Sequence, residues 1–319
     1  MAQRLTTLFV VDPLDELKAY KDTSVAMMRE LARRGIAVFA CTPAQLALRD
    51  SKVLAQASEL ELPASDESWY VERGATTAPL TQFDAVLMRK DPPFDVEFLN
   101  ATLLLSRAAA QGARVFNDPQ SLRDHNEKLA VAEFPQYTVP TLVTRDLNLL
   151  RQFHAEMGDV VVKPLDGMGG RGVFHLRRDD PNLNAILEIV SEYGKRSLMA
   201  QRFIPEITAG DKRVLLIAGK PVPFSLARVP KPGESRGNLA AGGIGRAQPL
   251  SAADRRIAEG IGPVLAARGL LLIGLDVIGD YLTEVNVTSP TCFVEITQQS
   301  GFDVASMFVD ALLDAVGRK

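Results

Sequence analysis

The sequence predicts an α/β fold, with an N-terminal parallel-sheet domain followed by a region of more α+β character. Two short apolar runs, residues 8–11 and 36–40, flank a segment at 24–34 that has helical periodicity and ends at Gly35. A strand, a helix and a strand in this order favour a parallel sheet with ligand groups at the strand ends. From Lys212 onward, strand patterns dominate.

The rest of the first domain has the same kind of pattern, and we place its end at residue 122. Residues 44–79 are less regular and predict a helix followed by strand pairs at the sheet edge. The remaining elements are a strand at 85–88, a helix at 98–111 and a strand at 114–117. Arg89 and Lys90 follow the strand at 85–88, where they either bind a substrate carboxylate or are simply solvated.

A second region, residues 123–203, is predicted to be a smaller subdomain. Residues 121–134 predict a helix with Lys128 in its middle, and on this pattern alone Lys128 is a surface lysine. The other predicted elements are helices at 147–157 and 183–193 and strands at 160–162, 173–176 and 197–203.

Residues 160–174, VVVKPLDGMGGRGVF, predict a phosphate clamp. A buried strand ends at Lys163, and the glycines that follow leave backbone amides free to approach anionic oxygens. These glycines match G-x-G-x-x-G formally, but a strand follows them instead of the helix that a dinucleotide fingerprint needs. A glycine-rich hairpin turn without a ligand is the alternative.

The third region, residues 204–319, begins with two strands about the Gly219-Lys220 turn. Arg213 and Arg228 lie at the outer ends of these strands and can face the same space. The glycine-rich stretch within 228–246 predicts a mobile loop long enough to act as a lid, although it could also be an ordinary connection. A helix at 252–267 follows.

Two more strands, at 271–277 and 282–287, bring together candidate metal ligands. Glu284 and Asn286 are two residues apart and point to one face of their strand, where Asp276 of the partner strand can meet them. Carboxylate and amide oxygens are the hard ligands that magnesium prefers, especially when phosphates complete its shell. Three solvated side chains are the alternative, which the apolar surroundings disfavour.

Composition excludes several functional classes. The chain has 319 residues with 36 Lys plus Arg, 39 Asp plus Glu and a net charge of -3, which argues against a general nucleic-acid or membrane-surface binder. Only Cys41 and Cys292 are present, so structural disulfides are not expected. The N-terminus lacks a signal-peptide pattern and no apolar run approaches membrane-spanning length, so a cytoplasmic location is expected.

Several collinear segments resemble the prokaryotic glutathione synthetases, which are ATP-grasp carboxylate-amine ligases. The matching segments are MRKDPPFD (88–95), NDPQSLRDHNEKL (117–129), KPLDGMGGRGVF (163–174), GDKRVLLIAGKPVP (210–223), RGNLAAGG (236–243) and EVNVTSPTC (284–292). The resemblance covers nearly the whole chain. It implies two ATP-grasp subdomains that clamp ATP between β-sheets.

The resemblance also implies roles for individual residues. For ATP they are Lys128, Lys163, Asp166, Gly167, Gly169, Gly170, Gly172, Gln201, Phe203, Ile204 and Asp211. The implied metal ligands are Asp276, Glu284 and Asn286, and the implied catalytic residues are Arg213, Arg228 and the lid residue Asn238. Candidates for substrate binding are Ser24, Arg89, Gly242, Gly243 and Ser289.

The activity implied by the resemblance is the ligation of glycine to γ-glutamylcysteine, with ATP activating the dipeptide carboxylate as an acyl phosphate. The implied cofactor is Mg²⁺, with Mn²⁺ able to replace it. The implied partners are these small substrates and further copies of the chain, in a dimer or tetramer. Another ATP-grasp ligase and a non-catalytic nucleotide-binding regulator are the alternatives, and the second is disfavoured because every expected ligand residue is present.

Overall fold

A computed structural model describes residues 4–231, 237–239 and 242–317, and three β-sheets organise these residues. The sheets follow one another along the chain, so each corresponds to a contiguous stretch of sequence. We call them the N-terminal, middle and C-terminal sheets.

The N-terminal sheet is parallel in its centre, as the sequence predicts. Its strands are β1 (Thr6–Val10), β2 (Ala37–Cys41), β3 (Leu46–Arg49), β4 (Lys52–Glu61), β5 (Val71–Pro79), β6 (Ala85–Met88) and β7 (Val115–Phe116). They lie in the order β3-β4-β2-β1-β6-β7, with β5 paired to β4. The pairs β1–β2, β1–β6 and β6–β7 are parallel, whereas β3, β4 and β5 add an antiparallel edge.

The helices of this domain are α1 (Thr23–Arg33), α2 (Val96–Ala110) and α3 (Pro119–Asp124). Each begins at an aspartate whose carboxylate accepts a hydrogen bond from a backbone amide of the first turn: Asp22 from Val25, Asp95 from Phe98 and Asp118 from Ser121. Such caps satisfy amides that have no partner within the helix.

The middle sheet is antiparallel, in the order β10-β9-β11-β8. Its strands are β8 (Thr141–Thr144), β9 (Val160–Pro164), β10 (Phe174–Leu176) and β11 (Leu198–Arg202), and its helices are α4 (Leu147–Met157) and α5 (Leu183–Val190). The glycine-rich loop joins β9 to β10, which confirms that the loop connects two strands rather than a strand and a helix.

The C-terminal sheet is also antiparallel, in the order β14-β13-β12-β15-β16. Its strands are β12 (Asp211–Ile217), β13 (Lys220–Val229), β14 (Ile244–Pro249), β15 (Leu272–Ile278) and β16 (Tyr281–Asn286). The helices of this region are α6 (Ala252–Ala266), α7 (Phe293–Ser300) and α8 (Val304–Ala315).

The buried side chains show which sheets share a core. Two large clusters each combine residues of the N-terminal and C-terminal sheets; for example, Leu8 and Leu275 belong to one, and Phe9 and Leu215 to the other. A third, smaller cluster consists only of residues between Leu150 and Ala200. The middle sheet therefore has an apolar core of its own.

Asn117 joins the N-terminal domain to the C-terminal sheet by hydrogen bonds. Its Nδ2 donates to the carbonyl oxygens of Leu272 at 2.8 Å and Val287 at 2.7 Å, and its Oδ1 accepts from the Leu272 amide at 3.0 Å. Because the Asn117 side chain is buried, losing these bonds would leave several polar groups unsatisfied.

The predicted helix at 121–134 is wrong in its second half. Helix α3 ends at Asp124, and a 3-10 helix, Leu129–Glu133, follows after a turn. The cause is Asn126, whose Oδ1 accepts from the amides of Lys128 and Leu129 and so replaces the helical bonding pattern. The predicted helix after residue 44 is likewise only a 3-10 helix, Pro43–Gln45, before the strands begin.

The predicted mobile segment at 228–246 has strand residues at both ends, because β13 extends to Val229 and β14 begins at Ile244. Residues 232–236 and 240–241 of this segment lie outside the described residues. Within the described part of the chain, no helix is both long and apolar enough to cross a membrane.

Candidate active site

A cleft between the middle and C-terminal sheets brings together most of the residues singled out in the sequence. The predicted site residues that line it are Lys128, Lys163, Gly167, Gly169, Gly170, Gln201, Phe203, Ile204, Asp211, Arg213, Arg228, Asn238, Asp276, Glu284, Asn286 and Ser289. The predicted residues that do not line it are Ser24, Arg89, Asp166, Gly172, Gly242 and Gly243.

The three candidate metal ligands lie on the neighbouring strands β15 and β16. Asp276 is directly opposite Glu284, and Asn286 is opposite Gly274, to whose carbonyl oxygen its Nδ2 donates at 3.1 Å. Antiparallel pairing brings side chains at opposite positions together on one face. The two carboxylates and the amide therefore lie along one side of the cleft, as the spacing predicts.

Glu284 forms ion pairs with the two lysines of the site. Its Oε1 lies 3.2 Å from Nζ of Lys163 and 3.7 Å from Nζ of Lys128. Burial alone would raise the pKa of the Glu284 carboxyl, but the two lysine charges outweigh burial and lower it. Lys128 reaches the cleft from the turn after Asn126, so it is not a surface lysine.

Asp276 forms ion pairs with the two arginines. Nε of Arg213 lies 2.6 Å from Oδ1 of Asp276, and Nη2 of Arg228 lies 2.9 Å from Oδ2. Burial opposes ionisation of Asp276, but both guanidinium groups counter this and keep its pKa well below the usual range. Arg213 and Arg228 thus do face the same space, as the hairpin pattern predicts.

Asp211 shares Arg228 with Asp276 but is not fully satisfied. Its Oδ2 accepts from Nη2 of Arg228 at 2.6 Å, whereas its buried Oδ1 has no hydrogen-bond partner among the residues that the structure describes. Burial and the nearby charges of Asp276 and Glu284 raise the pKa of Asp211 to about 6, although Arg228 opposes the rise. A buried oxygen that lacks a partner can accept a hydrogen bond from a donor group of a bound ligand.

The glycine-rich loop lies over the lysines. Nζ of Lys128 donates to the carbonyl oxygen of Gly167 at 2.5 Å, which ties the loop to the floor of the cleft. Gly172 has φ +71° and lies so close to the Pro164 ring that a Cβ atom would be 2.9 Å from it. Asp166 instead pairs with Arg196, away from the cleft lining.

The other end of the cleft is formed by β10, β11 and the residues that follow β11. Gln201, Phe203 and Ile204 all line it. The Phe203 amide donates to the carbonyl oxygen of Asp159 at 2.9 Å, so this N–H is committed within the protein. The Phe203 ring stacks on His175, with 3.8 Å between ring centroids and 8° between planes.

Arg89 and Ser24 contact each other beneath the cleft. Nε of Arg89 donates to Oγ of Ser24 at 3.1 Å, and Nη2 donates to the carbonyl oxygen of Pro290 at 3.0 Å. Burial lowers the pKa of Arg89 to about 10. Ser289, which does line the cleft, donates to the carbonyl oxygen of Arg89 at 3.3 Å, so Arg89 supports the loop that carries Ser289.

The described residues of the glycine-rich segment, 237–239 and 242–243, approach the backbone of Arg228. Asn238 lines the cleft, and its carbonyl oxygen accepts from the Gly243 amide at 3.2 Å. A Cβ atom at Gly237 would lie 2.2 Å from the carbonyl oxygen of Arg228. Only a residue without a side chain fits at this point, which explains one glycine of the segment.

Some cleft residues were not identified from the sequence. Glu127 lines the cleft and accepts from Oγ1 of Thr288 at 2.7 Å, and its carbonyl oxygen accepts from the Val285 amide at 2.8 Å. His175 lines the other end, where its Nε2 is 3.3 Å from Oδ2 of Asp159. Two features of the sequence could have identified them: Glu127 precedes Lys128 directly, and His175 lies shortly after the glycine-rich loop.

The donor set of the acidic strands fits a hard divalent cation. Asp276 and Glu284 are ionised, adjacent and rich in oxygen donors, and Asn286 adds an amide oxygen. Among the described residues no group of three His, Cys, Asp or Glu side chains forms a metal site, so a cation here would rely on the two carboxylates, the amide and its own phosphate or water ligands.

Comparison with solved structures defines the class of fold. A D-cycloserine synthetase aligns with a TM-score of 0.69 at 17% identity, covering 97% of this chain and 99% of that one. The ATP-grasp ligase PsnB, in complex with a minimal precursor, Mg and ADP, aligns with a TM-score of 0.62 at 18% identity over 98% of each chain. The chain therefore has the fold of the ATP-grasp ligases.

Sequence comparison defines the family more closely. The family description "Prokaryotic glutathione synthetase, N-terminal domain" matches residues 5–123, and "Prokaryotic glutathione synthetase, ATP-grasp domain" matches residues 127–301. Glutathione synthetase of Ralstonia nicotianae is 60% identical over 98% of this chain and 96% of that protein. The Bordetella parapertussis protein of the same name is 58% identical, over 97% and 99%. The chain belongs to the prokaryotic glutathione synthetase family.

Proposed function

We propose that the protein joins glycine to γ-glutamylcysteine at the expense of ATP, giving glutathione, ADP and phosphate. The observation that carries this proposal is the charge arrangement of the cleft, in which two lysines and two arginines converge on Glu284 and Asp276. Four cations are suited to a triphosphate and to a reacting carboxylate. The names of the relatives supply the substrates.

Each end of the cleft is assigned a part of the nucleotide. Gln201, Phe203 and Ile204 bind the adenine, and the glycine-rich loop covers the phosphates together with Lys128 and Lys163. Since the Phe203 amide is already bonded to Asp159, the groups left for the base are the Phe203 carbonyl oxygen and the Ile204 amide. Asp211 offers to the same ligand its Oδ1, which has no partner within the described parts of the chain.

The reaction proceeds by transfer of the γ-phosphoryl group to the dipeptide carboxylate, followed by attack of the amine on the acyl phosphate. Arg213 and Arg228 stabilise negative charge on the phosphoryl oxygens and on the tetrahedral intermediate. Asp276, Glu284 and Asn286 would hold Mg²⁺, or Mn²⁺ in its place, which neutralises phosphate charge when bound. Asn238 and the segment around it exclude water from the reacting groups.

The dipeptide is assigned to the side of the cleft near Ser289. This residue belongs to a loop that Arg89 and Ser24 hold in place, while Gly242 and Gly243 shape the segment on the opposite side. The proposed domain limits are residues 1–122 for the N-terminal domain, 123–203 for the small subdomain and 204–319 for the C-terminal subdomain.

A direct assay tests the proposed reaction. ADP release is measured with γ-glutamylcysteine and glycine together and with each omitted in turn, and glutathione is identified by mass. We expect turnover only when both are present. ADP release that does not require both substrates, or that yields another product, would refute the proposal.

A cytoplasmic location and a homo-oligomeric state, dimer or tetramer, are part of the proposal. Both cysteines are buried and unpaired, which fits a reducing compartment. Family membership is the support for assembly. Sedimentation of the purified protein tests it, and a monomer at micromolar concentration would contradict it.

A further inference from the structure

The hydrogen bonds of Gln201 determine which base the cleft can recognise. Gln201 lies on β11 directly opposite Thr141 of β8, is only 4% exposed and lines the cleft. A glutamine amide has donors on its nitrogen and an acceptor on its oxygen. The orientation of the amide therefore decides whether a ligand in the cleft meets a donor or an acceptor.

Thr141 fixes that orientation. Its hydroxyl donates to the carbonyl oxygen of Val139 at 2.8 Å. A carbonyl oxygen can only accept, so the single hydroxyl proton of Thr141 is committed, and toward Gln201 the hydroxyl oxygen can act only as an acceptor. Nε2 of Gln201 must then face Thr141, as its 3.1 Å bond to Oγ1 shows.

We propose that Thr141 is a positioning residue that makes the cleft select a 6-amino purine over a 6-oxo purine. With Nε2 turned toward Thr141 and one of its two N–H groups bonded there, Oε1 is the Gln201 atom that we assign to the base, and this acceptor matches the amino group of adenine. The carbonyl oxygen of a 6-oxo purine would instead meet another acceptor. This inference rests on the proposed function, because it takes ATP as the nucleotide.

The Phe203 backbone, like Oε1 of Gln201, offers an acceptor to the base. The Phe203 amide is committed to the carbonyl oxygen of Asp159, so Phe203 too presents an acceptor rather than a donor to a base. A 6-oxo purine would thus leave buried acceptors without a donor. Sites built to hydrogen-bond a ligand group reject analogues that lack it, because their own polar groups are left unpaired.

The test measures binding of ADP and IDP, which differ at purine position 6, by calorimetry with the full-length protein. We expect the wild-type protein to bind ADP at least about tenfold more tightly than IDP. Thr141→Val keeps the shape of the side chain but removes the acceptor, so the Gln201 amide can turn and the ratio should fall about tenfold. Thr141→Ser should keep the ratio near the wild-type value.

Thr144→Val is the matched control, since Thr144 lies on the same strand and its Oγ1 accepts from the Asp146 amide instead. The ADP to IDP ratio should not change in this variant. In a Gln201→Met background, which removes the amide, adding Thr141→Val should also leave the ratio unchanged.

Three results would overturn the inference: a wild-type ratio near one, an unchanged ratio in folded Thr141→Val protein, or a Thr141→Val effect that persists in Gln201→Met. The proposed function fails separately. A protein that discriminates ADP from IDP but does not form glutathione would refute only the function, whereas one that forms glutathione equally well with ATP and ITP would refute only this inference.

Discussion

The two ends of the cleft satisfy their polar groups in different ways. At the end proposed to bind the base, Gln201 and the Phe203 amide bond to neutral groups, the Thr141 hydroxyl and the Asp159 carbonyl oxygen, and a base can bind without breaking these bonds. At the phosphate end, Glu284 is held by lysines and Asp276 by arginines. A phosphate bound at this end would compete with the carboxylates for the lysines and arginines, and a cation would compete with these basic groups for the carboxylates.

If the proposed function holds, this difference predicts where the binding of one ligand is coupled to the binding of another. Under the proposed function, phosphates that attract Lys128 and Lys163 would weaken their pairing with Glu284, and a cation at Glu284 would free the lysines for phosphate. Each ligand therefore removes an electrostatic cost of binding the other. At the end proposed to bind the base, no ion-pair partners are exchanged. Substitutions there should therefore have smaller effects on activity and stability.

The largest effect is expected for Glu284→Gln. Loss of this charge leaves Lys163 and Lys128 without their anionic partner and removes a proposed cation ligand. We expect turnover to fall at least about a hundredfold, as for other groups that stabilise transition-state charge. The measurement is ADP release with both substrates. Glu259→Gln, an exposed change on α6, is the control, and near-normal turnover of Glu284→Gln would contradict the role.

An effect of similar size is expected for Arg228→Met, here on stability. Arg228 is buried between Asp211 and Asp276, so its loss leaves two buried carboxylates with reduced compensation. Breaking a buried ion pair costs about 3–5 kcal/mol. Urea unfolding should show this loss, while Arg255→Met on the exposed face of α6 should be nearly neutral. Equal stability of the two variants would show that the ion pairs of Arg228 with Asp211 and Asp276 do not stabilise the fold.

Asp211 predicts an intermediate effect that depends on pH. Its pKa rises from 3.8 to about 6 on folding because burial disfavours the charge. Between these values the folded state holds more protons than the unfolded state, so the contribution of Asp211 to stability is present at low pH and is lost as pH rises through about 6.

Unfolding free energies of the wild-type protein and Asp211→Asn, measured from pH 4 to 7, test this sign. The lowered pKa values of Asp276 and Glu284 act in the opposite direction in both proteins, so the difference in stability between the two proteins reports Asp211 together with its interaction with these carboxylates. We expect wild-type stability to fall relative to the variant as pH rises. A constant difference across this range would rule out the raised pKa.

The smallest effect is expected at the base end, for His175→Ala. The variant loses the stack on Phe203, and such contacts contribute about 0.5–1.5 kcal/mol, so the KM for ATP should rise about threefold to tenfold. His175→Phe should restore it, since a ring remains. Phe174→Ala on the same strand is the control, because Phe174 is 40% exposed and does not line the cleft. If His175→Ala lowered kcat by a larger factor than it raised KM, the proposed contrast between the base end and the phosphate end would be wrong.

Much of this arrangement could be predicted from the sequence because strand periodicity fixes which side chains share a face. Glu284 and Asn286 were placed together in this way, and the strand after the glycine-rich loop excluded a dinucleotide fold. The roles of Lys128 and Asn238 came from the family resemblance instead, because neither lies in a pattern that marks it as functional.

Other features depend on contacts between distant segments and left no local signal. The pairing of Asp276 with both arginines follows from the register of β12 with β15 and from the approach of β13. The shortened helix α3 has a local cause instead, because the side chain of Asn126 competes with the helical bonds and helical periodicity does not reveal such a competition. The bond from Gln201 to Thr141 required two strands to meet in a particular register.

The separate core of the middle sheet has a consequence for local unfolding. Its buried residues pack mainly on one another, whereas the N-terminal and C-terminal sheets share two larger clusters and are joined by Asn117. Cooperative units of exchange often follow such boundaries. Backbone amides of β8 to β11 should therefore exchange with deuterium as one group and before those of β1 and β15, and nucleotide should slow this group most.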